Sequence, residues 1–211
     1  MTGHCLVILT VGVVSLFFSV CGQVISRGPC PPVLLQRDFN VNNYIGSWYE
    51  IERFPASFES SLKCINAKYW LKQDGTIWVI NNGTDIETGE QTTIEGYAWV
   101  PDPNVPAKLK VRFRWWMPAG DYWIMRTDYD TYSVLYSCDD FIFGFFKMEY
   151  AWILSRNRSL NTGTLTDIKR DIQDRGVDIS HFLSSDQIGC DAKDNTLKYK
   201  PLDEDLSVIN T

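Results

Sequence analysis

Gly46-Ser47-Trp48-Tyr49 opens an apolar-alternating stretch, closely following a segment marked by Cys30, Pro31 and Pro32. Apolar residues recurring at a period of two read as a strand with one buried face. Outward from it, apolar residues continue to recur at short range between turn signals, and no long 3.6-residue stripe occurs until near the end. Strands are expected over 46–54, 64–72, 76–81, 92–100, 108–116, 121–127, 132–138 and 147–155. Between them lie Gln73-Asp74-Gly75, Asn82-Gly83 with Thr88-Gly89, Pro101 to Pro106, Pro118-Ala119-Gly120 and Asp128 to Asp130, all with turn chemistry.

Eight sequential antiparallel strands leave two unpaired edges unless the sheet closes, and an eight-stranded barrel is just wide enough to hold one small ligand. The expected fold is therefore all-β, an eight-stranded up-and-down antiparallel barrel with one C-terminal helix packed on the outside. A two-sheet sandwich is the alternative, and the single helical segment argues against it. In that segment Thr164 is the expected cap with Asp167 three residues on, Leu165, Ile168 and Ile172 share a face, and Gly176 stands at the C-cap. A short strand is expected between Phe182 and Ile188.

Leu6 to Val20 form an apolar run of signal-peptide length, with small or polar residues suited to cleavage near Gly22-Gln23, although no Lys or Arg precedes the run. The run is shorter than the ~20 residues a bilayer span needs. A secreted, extracellular protein follows, with a signal peptide over 1–22, one folded domain over 23–190 and a mobile polar tail over 191–211. Cleavage removes Cys5 and Cys21 and leaves Cys30, Cys64, Cys138 and Cys190, an even set that reads as two disulfides. Four cysteines permit three pairings, and spacing does not choose among them. Asn82-Gly83-Thr84 and Asn157-Arg158-Ser159 are glycosylation sequons, with Asn82 on an expected loop and Asn157 just after the last barrel strand.

The formal net charge of -6 and the lack of a basic run exclude the electrostatic footprint of nucleic-acid binding. An enzyme is not expected either. Past the leader, His181 is the single histidine, and the sequence offers no metal-ligand cluster, phosphate loop or Ser-His-acid set.

Gly46 and Trp48, Thr127-Asp128-Tyr129, and the Arg156 that ends Trp152-Ile153-Leu154-Ser155-Arg156 stand at distances that resemble the three signatures of the lipocalins. Trp115-Trp116-Met117-Pro118 and Tyr122-Trp123-Ile124 are similar to the apolipoprotein D and insect bilin-binding (Lazarillo) branch of that family, and the resemblance spans Cys30 to Cys190. It implies disulfides Cys30–Cys138 and Cys64–Cys190 and a hollow barrel. It also implies a carrier of a fatty acid, sterol, steroid or retinoid, with biliverdin as the alternative cargo and no required cofactor. A monomer is favoured.

Successive loops of a meander alternate between ends, so loops 55–63, 82–91, 117–120 and 139–146 share the expected mouth, while Trp48, Arg156 and the Thr127-Asp128 turn belong to the closed end. There a guanidinium on an indole makes a plug. Counting by twos gives Met148, Tyr150, Trp152 and Leu154 as lining on the last strand, and Leu109, Val111, Phe113 and Trp115 on the fifth. The resemblance adds Tyr122, Ile124, Ile94, Ala98 and, on the first mouth loop, Phe58. Parity is awkward in the first strand: if Trp48 points inward, so do Glu50 and Glu52. A bulge or twist resolves this, or Glu50 is buried against a Tyr hydroxyl or an Arg; both solutions stay open.

Phe141-Ile142-Phe143-Gly144-Phe145-Phe146 is unusually apolar for a loop. One reading makes it a hairpin tip that exposes Phe141, Phe143, Phe145 and Phe146 to a membrane or lipoprotein surface. The other extends the strands and packs Phe143 and Phe145 inside. Met117, in the neighbouring mouth loop, could take the oxygen of a bound lipid hydroperoxide as a sulfoxide, a chemistry the resemblance also implies.

Overall fold

The computed structural model describes residues 22–190. Apart from Gly22, the leader expected over 1–22 lies outside these residues, as does the tail expected over 191–211. Eight strands hydrogen-bond in chain order: β2 (Gly46–Arg53), β3 (Leu62–Leu71), β4 (Ile77–Asp85), β5 (Gln91–Trp99), β6 (Lys108–Arg112), β7 (Gly120–Thr127), β8 (Tyr132–Phe141) and β9 (Phe146–Ser155). β9 then pairs with β2, which closes the sheet into a barrel and leaves no free edge among the eight. A first strand, β1 (Val24–Arg27), pairs with β9, and a last one, β10 (Leu183–Ser184), pairs with β2. Among the described residues there are also two α-helices, α1 (Val41–Tyr44) and α2 (Thr162–Asp174).

The period of two sorts side chains between two cores. On β8, Val134, Tyr136 and Cys138 face outward and join Ala151 and Ile153 of β9 against Ile168 and Ile172 of α2. Leu135 and Leu154 face inward, with Trp48, Tyr69, Val79 and Leu109. Each isoleucine of α2 buried in the outer core contributes about 1.5–3 kcal/mol. The helix begins earlier than the sequence suggested. Its cap is Asn161, whose side chain accepts from the backbone N–H of Gly163 (2.8 Å) and Thr164 (3.3 Å), so the expected cap Thr164 lies inside the first turn. Gly176 does terminate the helix, at φ +91°.

The strand boundaries differ from those expected most at the ends of β4, β6 and β8. β4 runs on to Asp85, because Asn82 and Gly83 pair with Thr93 and Thr92 across the ladder; the turn comes later, where Asp85 accepts from the N–H of Glu87 and Thr88. β6 stops at Arg112, and Arg114 to Met117 fold into a turn closed by Met117 N–H to Arg114 C=O at 3.0 Å. β8 and β9 reach Phe141 and Phe146, leaving a hairpin tip in which Ile142, Phe143 and Gly144 all take positive φ.

A bulge at Ile51 settles the parity of β2. Glu50 stands opposite Leu154 and faces inward, whereas Glu52 stands opposite Ile153 and faces α2, where Lys169 meets it at 2.6 Å. The disulfides are Cys30–Cys138 and Cys64–Cys190, with sequence separations of 108 and 126. Loops of this length are worth about 4–5 kcal/mol each in the chain-entropy model.

One end of the barrel is filled. The Trp48 ring is wholly buried and donates to Tyr44 C=O at 2.9 Å, and the Arg156 guanidinium lies 3.7 Å from its centroid. Arg156 then donates to the carbonyls of Tyr129 (2.8 Å), Ser47 (2.9 Å), Asn43 (3.2 Å) and Tyr44 (3.3 Å). Gly46 has φ +105°, and a Cβ there would meet Arg156 Nη1 at 3.2 Å, which accounts for a glycine two residues before the tryptophan. Thr127 and Asp128 act on backbone: Thr127 Oγ1 donates to Tyr132 C=O, and Asp128 accepts from the N–H of Thr131 and Tyr132. Replacing Arg156 with Lys keeps the charge but loses the planar fork. We expect Arg156→Lys to lower unfolding free energy by about 2 kcal/mol in urea titration while leaving ligand affinity within about twofold.

Candidate ligand-binding site

Above this floor the barrel is hollow. A cavity of about 120 Å³ is walled by Phe58, Ile65, Ala67, Tyr69, Val79, Val111, Phe113, Tyr122, Leu135, Trp152 and Leu154, with Glu50, Glu59, Asn66, Asn81 and Asp121 as its polar members. It is open because the inward positions change character along the strands. Near the floor they are bulky and interlocked, as in Trp48, Ile124 and Leu109, while farther up small residues such as Ala67 and Val111 leave the centre unfilled.

Of the residues expected to line the site, Phe58, Val111, Phe113, Tyr122, Trp152 and Leu154 are on this wall. Ala98 and Ile124 face the same interior but are packed into the floor below it. Tyr150 stacks on Trp152 at 6.0 Å and touches Phe58, and its hydroxyl donates to Met148 Sδ at 3.4 Å, so Tyr150 and Met148 continue the inward face of β9 above the cavity. Ile94 pairs with Asn81 but is partly exposed and off the wall. Trp115 corrects a parity expectation: because β6 ends at Arg112, it leaves the strand and is 83% exposed on the rim. The sequon residue Asn82 is likewise not on a loop. It sits in β4, is 8% exposed, and its side-chain amide donates to Asn66 Oδ1, whereas Asn157 is exposed after β9.

The family-level comparison agrees with this architecture. The model of the Lipocalin-like domain family matches residues 39–187. The chain is a lipocalin. Apolipoprotein D from Bos taurus is 40% identical over 175 residues, covering 83% of this chain and 91% of that relative. The Lazarillo protein of Schistocerca americana is 31% identical over 152 residues, 71% of each chain. Among solved structures, insecticyanin from the tobacco hornworm Manduca sexta superposes with a TM-score of 0.68 at 26% identity, covering 78% of this chain and 89% of that one. This lipocalin is a binding protein for a small hydrophobic ligand, held non-covalently and without a cofactor, and not an enzyme.

The polar part of its wall was the part least visible in the sequence. Glu59 ends a short turn in the first mouth loop, where no periodicity operates; Asn81, in phase with Ile77 and Val79, was reachable by counting inward positions along β4. Two polar groups result. Near the floor, Ser133 donates to Tyr44 Oη (3.2 Å), which lies 3.4 Å from Tyr122 Oη, itself 2.7 Å from Tyr69 Oη. Burial pushes the Tyr44 hydroxyl up to about 12 and holds those of Tyr69 and Tyr122 well above the usual tyrosine range, so all three stay protonated. The second group joins Arg53 Nε to Glu50 (3.1 Å) and Glu59 (3.7 Å), with the Trp152 indole donating to Glu59 at 3.2 Å and Ser185 donating to Glu50 at 2.5 Å.

Burial, and then the neighbouring Glu59, push the Glu50 carboxyl from an ordinary 4.5 up to about 8. The folded chain thus holds this proton more tightly than the unfolded one, and folding stability falls as pH rises through that interval. Glu50→Gln removes the titration. Thermal unfolding of the native protein should fall between about pH 5 and about pH 8, and the two midpoints should converge in the variant.

Proposed function

We propose that this lipocalin is a secreted, monomeric carrier of one slim lipid, a fatty acid, sterol, steroid or retinoid, taken up through the open end of the barrel. The carrying observation is a hollow, largely apolar upper barrel over a closed floor. The cavity's roughly 120 Å³ lies below the about 300–1,000 Å³ typical of small-molecule sites, which supports a slim single chain or compact ring system over the bulkier biliverdin. Apolar burial supplies most of the affinity, at roughly 25 cal/mol per Å².

Ala67 faces the empty space from β3. Ala67→Trp should fill it and weaken fluorescence-detected lipid binding by at least about tenfold with an unchanged unfolding midpoint. Equal affinity in the variant would place the ligand elsewhere.

The rim supports a second role. Phe143 is fully exposed, and Phe145, Trp115 and Trp116 are all more than half exposed, with Phe141 and Phe146 stacked beneath the hairpin tip at 5.7 Å. Single exposed apolar residues are ordinary, whereas a rim of several large ones suits contact with a lipoprotein or membrane surface. The half-exposed Met117 in the same rim supports a protective chemistry, reduction of a lipid hydroperoxide to the alcohol with formation of the sulfoxide. The double variant Phe143→Ser, Phe145→Ser should lose most of its co-flotation with phosphatidylcholine vesicles while lipid affinity in solution is retained; undiminished flotation removes the surface role.

A further inference from the structure

We propose that the cavity selects an apolar ligand carrying a hydrogen-bond donor, such as a hydroxyl, over one carrying a free carboxylate. This rests on the carrier reading and specifies its cargo. The inference follows from which polar atoms the wall leaves for a ligand. Asn81 Oδ1 is buried without a hydrogen-bond partner among the described residues, on a side chain that lines the cavity. An acceptor left dry in this way is costly, and a donor on the ligand recovers the cost. The carboxylates of Glu59 and Glu50 line the same space.

The cations nearest the cavity are already paired with carboxylates. Arg53 sits between Glu50 and Glu59, its Nε ion-paired at 3.1 Å and 3.7 Å without a well-aligned hydrogen bond, and its other nitrogens donate to the carbonyls of Phe54 and Glu59. Lys110 is held by Asp121 at 2.6 Å. Among the described residues, no Lys, Arg or His is on the cavity wall. A ligand carboxylate would therefore lose its hydration in a space with little water and meet no cation that is free of a carboxylate partner. The floor is compatible with a neutral head group, since its chain of tyrosine hydroxyls stays protonated and can pair with a hydroxyl as donor or acceptor.

Hexadecan-1-ol and palmitate carry the same chain and differ in the head group. Each is titrated, near neutral pH, into the full-length secreted protein loaded with N-phenyl-1-naphthylamine, a neutral apolar probe. Hexadecan-1-ol should displace the probe at least about tenfold more effectively than palmitate. Glu59→Gln keeps an acceptor for the Trp152 indole and takes one carboxylate partner away from Arg53, and it should narrow that ratio by strengthening palmitate. Asn81→Leu removes the dry acceptor; it should weaken hexadecan-1-ol about fivefold, leave palmitate unchanged and not lower the unfolding midpoint. Palmitate displacing as well as the alcohol, neither compound displacing, or a ratio unmoved by both substitutions would overturn the inference and leave the carrier reading standing. Failure to take up the probe at all would overturn the carrier reading instead.

Discussion

The stacking of Arg156 on Trp48 is the contact on which the rest of the barrel depends. A single guanidinium covers the indole and ties together four backbone carbonyls, from the loop after β7, from α1 and from β2. The loop after β7 is far in sequence from α1 and β2, and a flat cation with five donors in a fixed plane can satisfy all four carbonyls together where an ammonium cannot. Closing one end in this way lets the other remain open. Once the floor is rigid, the upper strands need not fill the barrel, and an interior that would otherwise collapse keeps room for a ligand.

That division shapes the energetics. The floor and the interface with α2 are ordinary close-packed cores, and the disulfides restrain segments on either side of the barrel: Cys30 holds the N-terminal segment to β8, and Cys190 holds the C-terminal segment to β3. The cavity holds the features that packing alone would not select: two carboxylates sharing one arginine, and an amide oxygen without a partner. Buried polar groups of this kind cost stability unless something meets them. Their position around the open space ties that cost to binding.

Strand alternation made most of the barrel legible. Trp152 and Leu154 fell inward by counting twos from Arg156, and Val111 and Phe113 by the same count on β6. The count failed where a strand ended early, so Trp115 passed from the wall to the rim, and where a strand ran on, so Asn82 moved from an expected loop into the ladder. Both failures concern boundaries, which cross-strand hydrogen bonding decides and local composition does not. The cap of α2 shifted for a related reason: Thr164 and Asn161 are both able caps, and the one placed where the chain leaves β9 prevailed.

By itself the sequence determined the closed sheet, the helix on its outer wall and the chemical character of each face, because these follow from a period of two and from turn residues that act locally. Tertiary structure alone decided that Glu50 faces inward while Glu52 meets Lys169, since a one-residue bulge resets parity and becomes visible only in the pairing of β2 with β9. It also decided that Glu59, Glu50 and Asn81 share one cavity. Their meeting comes from closure of the barrel, which brings residues from a loop and two strands to a common space, and no local pattern in the chain encodes that distance.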